Sequence, residues 1–164
     1  MKKRFNAPIL IFSDEAASTL RKYSGYKLAR EQGGILLGEI HPESNEILVV
    51  KVTEPGLSDQ SSMLRWERDK DSTNRIIAEG WEKSGGTTNY VGEWHTHPQD
   101  YPIPSGKDEQ TMRKLAALPT QVAPGLFMVI LGSISNSITY WPANTRFPSP
   151  VPSDPLINLA VPQI

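Results

Sequence analysis

The stretch GEWHTHPQDYPIPSGKDEQ, residues 92–110, carries two of the chain's three histidines, one residue apart, followed by a serine and an aspartate. On a strand, residues i and i+2 share a face about 7 Å apart, so His95 and His97 can converge on one ion. Zinc takes imidazole nitrogen at about 2.0–2.1 Å, and a catalytic zinc needs three protein ligands and an open position. Asp108 is the candidate third ligand, because a helix starting near Ser105 would bring its first turn back over the strand. An ordinary structural account of the same residues exists. Ser105-Gly-Lys-Asp108 has the form of a capping box, with Asp in place of the usual Glu. The two accounts are compatible, since a cap that fixes the helix start also aims Asp108.

Glu93 precedes His95 by two residues, so strand alternation puts it on the same face. By spacing alone it could be a fourth ligand, an acceptor for an imidazole N–H, or a catalytic base. His41 sits in His41-Pro42-Glu43-Ser44-Asn45, which reads as an exposed hairpin turn. Trp94 faces away from the histidines and reads as core, and Trp66 and Trp81 also read as packing residues.

Such a site needs firm elements beneath it, and the pattern predicts a mixed α/β domain with a central sheet flanked by helices. Residues 7–12 read as a strand. Ser13-Asp14-Glu15 caps a helix expected to run to about Arg30 and to end at Gly33-Gly34. Residues 35–40 and 46–53 read as a hairpin, and 63–67 as a further strand. A helix over 70–84 would place Ile76, Ile77 and Trp81 on one side, stopped by Gly85-Gly86. Residues 89–96 form the histidine strand, 105–118 a helix, and 126–131 and 138–141 two closing strands. From Pro148 the chain is proline-rich and reads as an extended tail.

Composition narrows the functions. A chain of 164 residues is one domain with room for a core. The formal net charge is −1 and no basic block exists to neutralise a phosphate backbone, which argues against nucleic acid. With no cysteine, thiol nucleophiles, thiolate zinc sites and disulfides are excluded, and a reducing, cytoplasmic setting fits. The start MKKRFNAPILIF imitates a signal peptide only briefly, since Pro8 interrupts a short apolar run and no cleavage site follows. No stretch approaches the roughly 18 apolar residues of a membrane span.

Taken together, His95-Thr96-His97-Pro98, the seven-residue gap to Ser105 and the two-residue gap to Asp108 resemble the H-x-H-x7-S-x-x-D signature of the JAB/JAMM (MPN+) metallopeptidases. That family also carries an upstream E-x-x-G followed by three apolar residues and a glycine. Glu31-Gln32-Gly33-Gly34-Ile35-Leu36-Leu37-Gly38 matches it in the expected order. The resemblance spans about residues 9–141 and implies a single JAB/MPN-type domain over 1–147, with 148–164 as the tail.

It further implies that His95, His97 and Asp108 hold zinc and that Glu31 is the general acid/base. Ser105 would hydrogen-bond the oxyanion of the attacked carbonyl. Glu31 alone would read as a solvated helix-end residue, and it is preferred over Glu93 because the family motif lands on it. The family members cleave ubiquitin-like proteins from lysine side chains, process sulfur-carrier proteins, or belong to a RadC-like group. RadC-like chains carry HPSG after the second histidine, whereas this chain has His97-Pro98-Gln99-Asp100. The format resembles the bacterial deconjugating peptidases of CBASS antiphage operons, which release a cGAS-like nucleotidyltransferase from its conjugation target. The implied partner is a protein with an extended C-terminal tail, held as an added strand by residues 57–68, with neither nucleic acid nor membrane involved.

Other enzyme classes fit less well. Iron oxygenases with two histidines and a carboxylate place the carboxylate beside the first histidine, unlike this chain. Zinc nucleoside deaminases want cysteine ligands. A Ser-His-Asp hydrolase would want a G-x-S-x-G elbow around its serine. The non-catalytic alternative is an MPN-minus scaffold, which lacks the ligands that are all present here.

Overall fold

The computed structural model describes residues 7–25, 30–56, 59–62, 65–67, 69–143 and 149–150. Its element order is β1 (Ile9–Phe12), α1 (Asp14–Arg21), β2 (Gly33–His41), β3 (Glu46–Val52), β4 (Gln60–Ser62), β5 (Arg65–Glu67), α2 (Lys70–Lys83), β6 (Thr88–Thr96), α3 (Gly106–Ala116), β7 (Gly125–Leu131), β8 (Asn136–Pro142) and β9 (Ser149–Pro150). Among the described residues the main sheet has seven strands in the order β1-β3-β2-β6-β7-β8-β9, and β4 and β5 form a separate hairpin. Strands β1 and β3 run parallel, as do β6 and β7, and the other neighbours are antiparallel. This is the mixed α/β sheet that the sequence pattern predicts.

Strand β7 shows how the two faces are built. All seven of its residues are buried, as expected for a strand covered on both sides. Phe127, Val129 and Leu131 pack in one cluster with Ala16, Ala17 and Leu20 of α1. Leu126, Met128 and Ile130 pack in another with Met112 and Ala116 of α3. On the neighbouring strand Trp94 pairs with Val129 and belongs to the α1 cluster, while His95 pairs with Ile130. The histidines therefore lie on the α3 face, and Trp94 is core as expected, its indole N–H donating to the Thr53 carbonyl at 2.9 Å.

Three expectations are corrected. Helix α1 stops at Arg21 rather than near Arg30, because the chain turns through Lys22–Gly25 and Gly25 adopts φ 80°. The Gly25 N–H then donates to the Gly132 carbonyl, which ties this turn to the end of β7. Gly33-Gly34 end no helix; they begin β2 and pair with His95 and Trp94. A side chain at Gly34 would collide with the Thr53 carbonyl and the Trp94 indole nitrogen, so close packing and not helix termination accounts for that glycine. Trp81 is 55% exposed and is not a core residue. It lines a cleft of about 660 Å³ between α2 and α3 with Ala78, Tyr90, Leu115 and Leu118.

Smaller differences concern the segment before α2. Of the expected 63–67 strand, Arg65–Glu67 form β5, and Met63, Leu64 and the side chain of Trp66 lie outside the described residues. Asp59 clasps the base of this segment by accepting from the Gly56 N–H at 2.7 Å and the Asp69 N–H at 2.8 Å. His41 is the last residue of β2, exposed, with its ring nitrogen 3.6 Å from Glu39. Of the proline-rich tail, Ser149 and Pro150 pair with β8, and residues 151–164 lie outside the described residues.

Candidate active site

Strand β6 delivers the histidines and α3 delivers the carboxylate. His95 and His97 are buried, with their Nε2 atoms 3.1 Å apart. Asp108 reaches both: Oδ1 lies 3.4 Å from His95 Nε2 and Oδ2 lies 3.3 Å from His97 Nε2. Ligand atoms at about 2.0–2.1 Å from a tetrahedral zinc stand about 3.3–3.4 Å from each other. The two Asp108 contacts run to different carboxylate oxygens; with one ligand atom taken from each residue, the three atoms lie within 4.8 Å of one another, a spread that a small turn of the carboxylate would bring to that edge length.

The expected cap is present. The Ser105 side chain accepts from the Asp108 N–H at 3.1 Å, and the Ser105 N–H donates to Asp108 Oδ2 at 2.7 Å. This capping box satisfies two backbone donors of the helix start and fixes the carboxylate rotamer. As an acceptor in the cap, the exposed Ser105 hydroxyl keeps its own hydrogen for another partner. The loop from His97 to the helix is tied to the β7–β8 connection. The Ser133 N–H donates to the Gln99 carbonyl, and the Ser133 hydroxyl donates to the Asp100 side chain.

Glu31 comes from the segment leading into the adjacent strand, β2. Gly33 pairs with His95 in the antiparallel register, so Gln32 stands opposite Thr96 and Glu31 opposite His97. Directly opposed residues share a face. Glu31 is accordingly buried, its Oε1 3.8 Å from His97 Nε2 and outside the group formed by the other three. It stands beside the candidate ligands without joining them.

Glu93 is also buried on this face, but it is not part of the His95, His97 and Asp108 group. Its Oε1 accepts from the Tyr90 hydroxyl at 3.0 Å. Its place is beside Tyr90 and outside the three-residue group. Sequence reasoning did not single out Tyr90, and only its i−3 spacing from Glu93 across the bulge at Val91 could have signalled it.

The charges are strongly coupled. Burial would raise the Asp108 pKa, but hydrogen bonds from His95 and His97, the His95 charge and the Ser105 backbone hold it far below the usual carboxylate range. Burial would lower that of His97, yet the hydrogen bond and charge of Asp108, with Glu31 adding, hold it raised. The depressed Asp108 and raised His97 values both express the attraction between the imidazole and the carboxylate across these short contacts.

A mixed sheet bearing a His-His-carboxylate cluster at the end of a central strand, with a glutamate facing it from the adjacent strand, defines a metallohydrolase-like site. The model of the prokaryotic homologs of the JAB domain matches residues 14–144, and the chain belongs to that family. The chain is 32% identical to a CD-NTase/cGAS isopeptidase of Pseudomonas aeruginosa over 126 residues, 76% of this chain and 78% of that one. It is 36% identical over 89 residues to a protein of the same description from Vibrio cholerae, covering 54% of this chain and 56% of that one. A probable metalloprotease of Sinorhizobium fredii is 26% identical over 102 residues, 62% of each chain. The solution structure of a Desulfitobacterium hafniense protein superposes with a TM-score of 0.60 at 16% identity, covering 87% of this chain and 90% of that one, a likeness of fold.

Proposed function

We propose that the chain is a zinc-dependent isopeptidase of the JAB type. It hydrolyses the amide bond joining the C-terminus of a ubiquitin-like or cGAS-like nucleotidyltransferase protein to its conjugation target. The observation that carries this reading is the convergence of His95, His97 and Asp108, with Glu31 beside them, on one point at the sheet end. The isopeptidase and metalloprotease names of the relatives support the same reaction class.

In this reading His95, His97 and Asp108 hold the zinc, which when bound supplies Lewis-acid polarisation of a carbonyl and acidifies water toward a pKa of about 7. Glu31 takes the proton of the attacking water and hands it to the leaving amine. The Ser105 hydroxyl donates to the carbonyl oxygen as negative charge develops there. Glu93, bonded to Tyr90, takes no part as the base. The β4–β5 hairpin, clasped at its base by Asp59, offers backbone to a substrate tail as an added strand. We read residues 1–147 as the catalytic domain and 148–164 as a tail, working in the cytoplasm. Among the described residues no helix is long and apolar enough to cross a membrane.

The test is to incubate the zinc-loaded chain with a nucleotidyltransferase joined through its C-terminal carboxyl to a lysine side chain. Mass spectrometry should find the intact C-terminus and the free lysine as products. A chain that holds zinc and leaves this linkage and a ubiquitin-like one intact would be a scaffold, and the reading would fail.

A further inference from the structure

We infer that Thr96, between the two histidines, is a positioning residue whose hydroxyl clamps the Glu31 segment into register with His97. The inference rests on the reading of Glu31 as the acid/base group. Thr96 is buried and pairs with Leu131, on the sheet face away from the histidines. Whatever it does for the reaction, it does through the backbone.

The β2–β6 ladder ends at Gly33 and His95. One step further, an ordinary antiparallel pair would exchange two backbone hydrogen bonds. Here the Thr96 N–H donates to the Gln32 carbonyl at 2.8 Å, but the Gln32 N–H donates to Thr96 Oγ1 at 3.0 Å. The side chain has taken the place of the backbone carbonyl. This substitution continues the register past the point where the strands diverge, and Glu31 is the next residue. A one-residue slip would turn Glu31 to the other face, away from His97. The clamp joins residues 64 apart in sequence, and its Gln32 end lies two residues after the exposed Arg30. A β-branched residue suits a buried strand end in any case, but valine would serve packing equally well. The hydroxyl is what the clamp requires.

The test uses Thr96→Val, which keeps the shape and removes the acceptor, and Thr96→Ser, which keeps the acceptor. In the zinc-free chain, hydrogen exchange at the Gln32 amide should quicken about tenfold or more in Thr96→Val and stay near wild type in Thr96→Ser. In the zinc-loaded chain, Thr96→Val should lower kcat about 10–100-fold, with zinc still bound one per chain and KM little changed. Thr96→Ser should restore the rate. Placed in a Glu31→Gln background, Thr96→Val should cost nothing further. Unchanged Gln32 exchange, an equal rate loss in the Glu31→Gln background, or loss of zinc would each overturn the inference. If Thr96→Val does not fold, Thr96→Ala gives the same exchange readout. If the zinc-loaded wild type cleaves nothing, the reading of the site fails, and the exchange result still decides the clamp.

Discussion

The two carboxylates of the site are held by opposite means. Asp108 is fixed within one helical turn, by a capping box whose partner is three residues away. Glu31 is fixed by sheet register, against a strand more than sixty residues further on. The first arrangement forms wherever the local sequence folds as a helix. The second exists only once β2 and β6 have paired correctly. The candidate metal-binding half is thus a local structure, and the candidate acid/base half is a tertiary one. The two halves should fail differently.

The largest expected effect is on the local half. His97→Ala removes one of the three candidate ligands and should abolish stoichiometric zinc binding together with turnover, read by metal analysis and cleavage assay. The fold should persist, because the ligands are not what pairs the strands. Ser105→Ala should lower kcat roughly 10²–10³-fold through the lost oxyanion donor. Loss of the cap, worth about 1 kcal/mol, should also weaken zinc binding several-fold in a chelator competition. A Ser105→Ala chain with normal kcat would leave the serine with only its capping role.

The smallest effect is on pH. In the proposed site, zinc would require His97 neutral and Asp108 ionised. Asp108 is ionised throughout the neutral range because its pKa is depressed, whereas His97 with its raised pKa must release a proton. Zinc affinity should therefore fall about tenfold per pH unit below the His97 pKa, with proton release on binding. In the zinc-free chain the pair stabilises the fold fully between about pH 4 and about pH 6.5, the unfolded values of the two groups. The Asp108 share is lost as pH falls through its depressed folded value. The His97 share is lost as pH rises through its raised one. Affinity flat across the neutral range would show that His97 gives up no proton.

This asymmetry also decided what could be read in advance. The strand, the capped helix and the facing of His95, His97 and Trp94 follow from period-two alternation and cap chemistry, which are local. Glu31 was legible only through its motif, and its surroundings were misread: a helix end was expected where β2 begins. Gly33-Gly34 read as a helix stop, and only their pairing with β6 and packing against Trp94 and Thr53 show that they open a strand, the helix turning off earlier at Gly25. Trp81 was misjudged for a related reason, because helical periodicity gives a face but not its covering. The Thr96 hydroxyl bonds a partner 64 residues away, which no local pattern signals.

The central claim is that the register-held glutamate makes a metal site into a peptidase. The most direct measurement is the single-turnover cleavage rate of zinc-loaded Glu31→Gln against zinc-loaded wild type, with bound zinc quantified in the same samples. The account predicts equal zinc, one per chain, and a rate lower by about 10²–10⁴-fold. A Glu31→Gln chain that cleaves at the wild-type rate with zinc in place would contradict it.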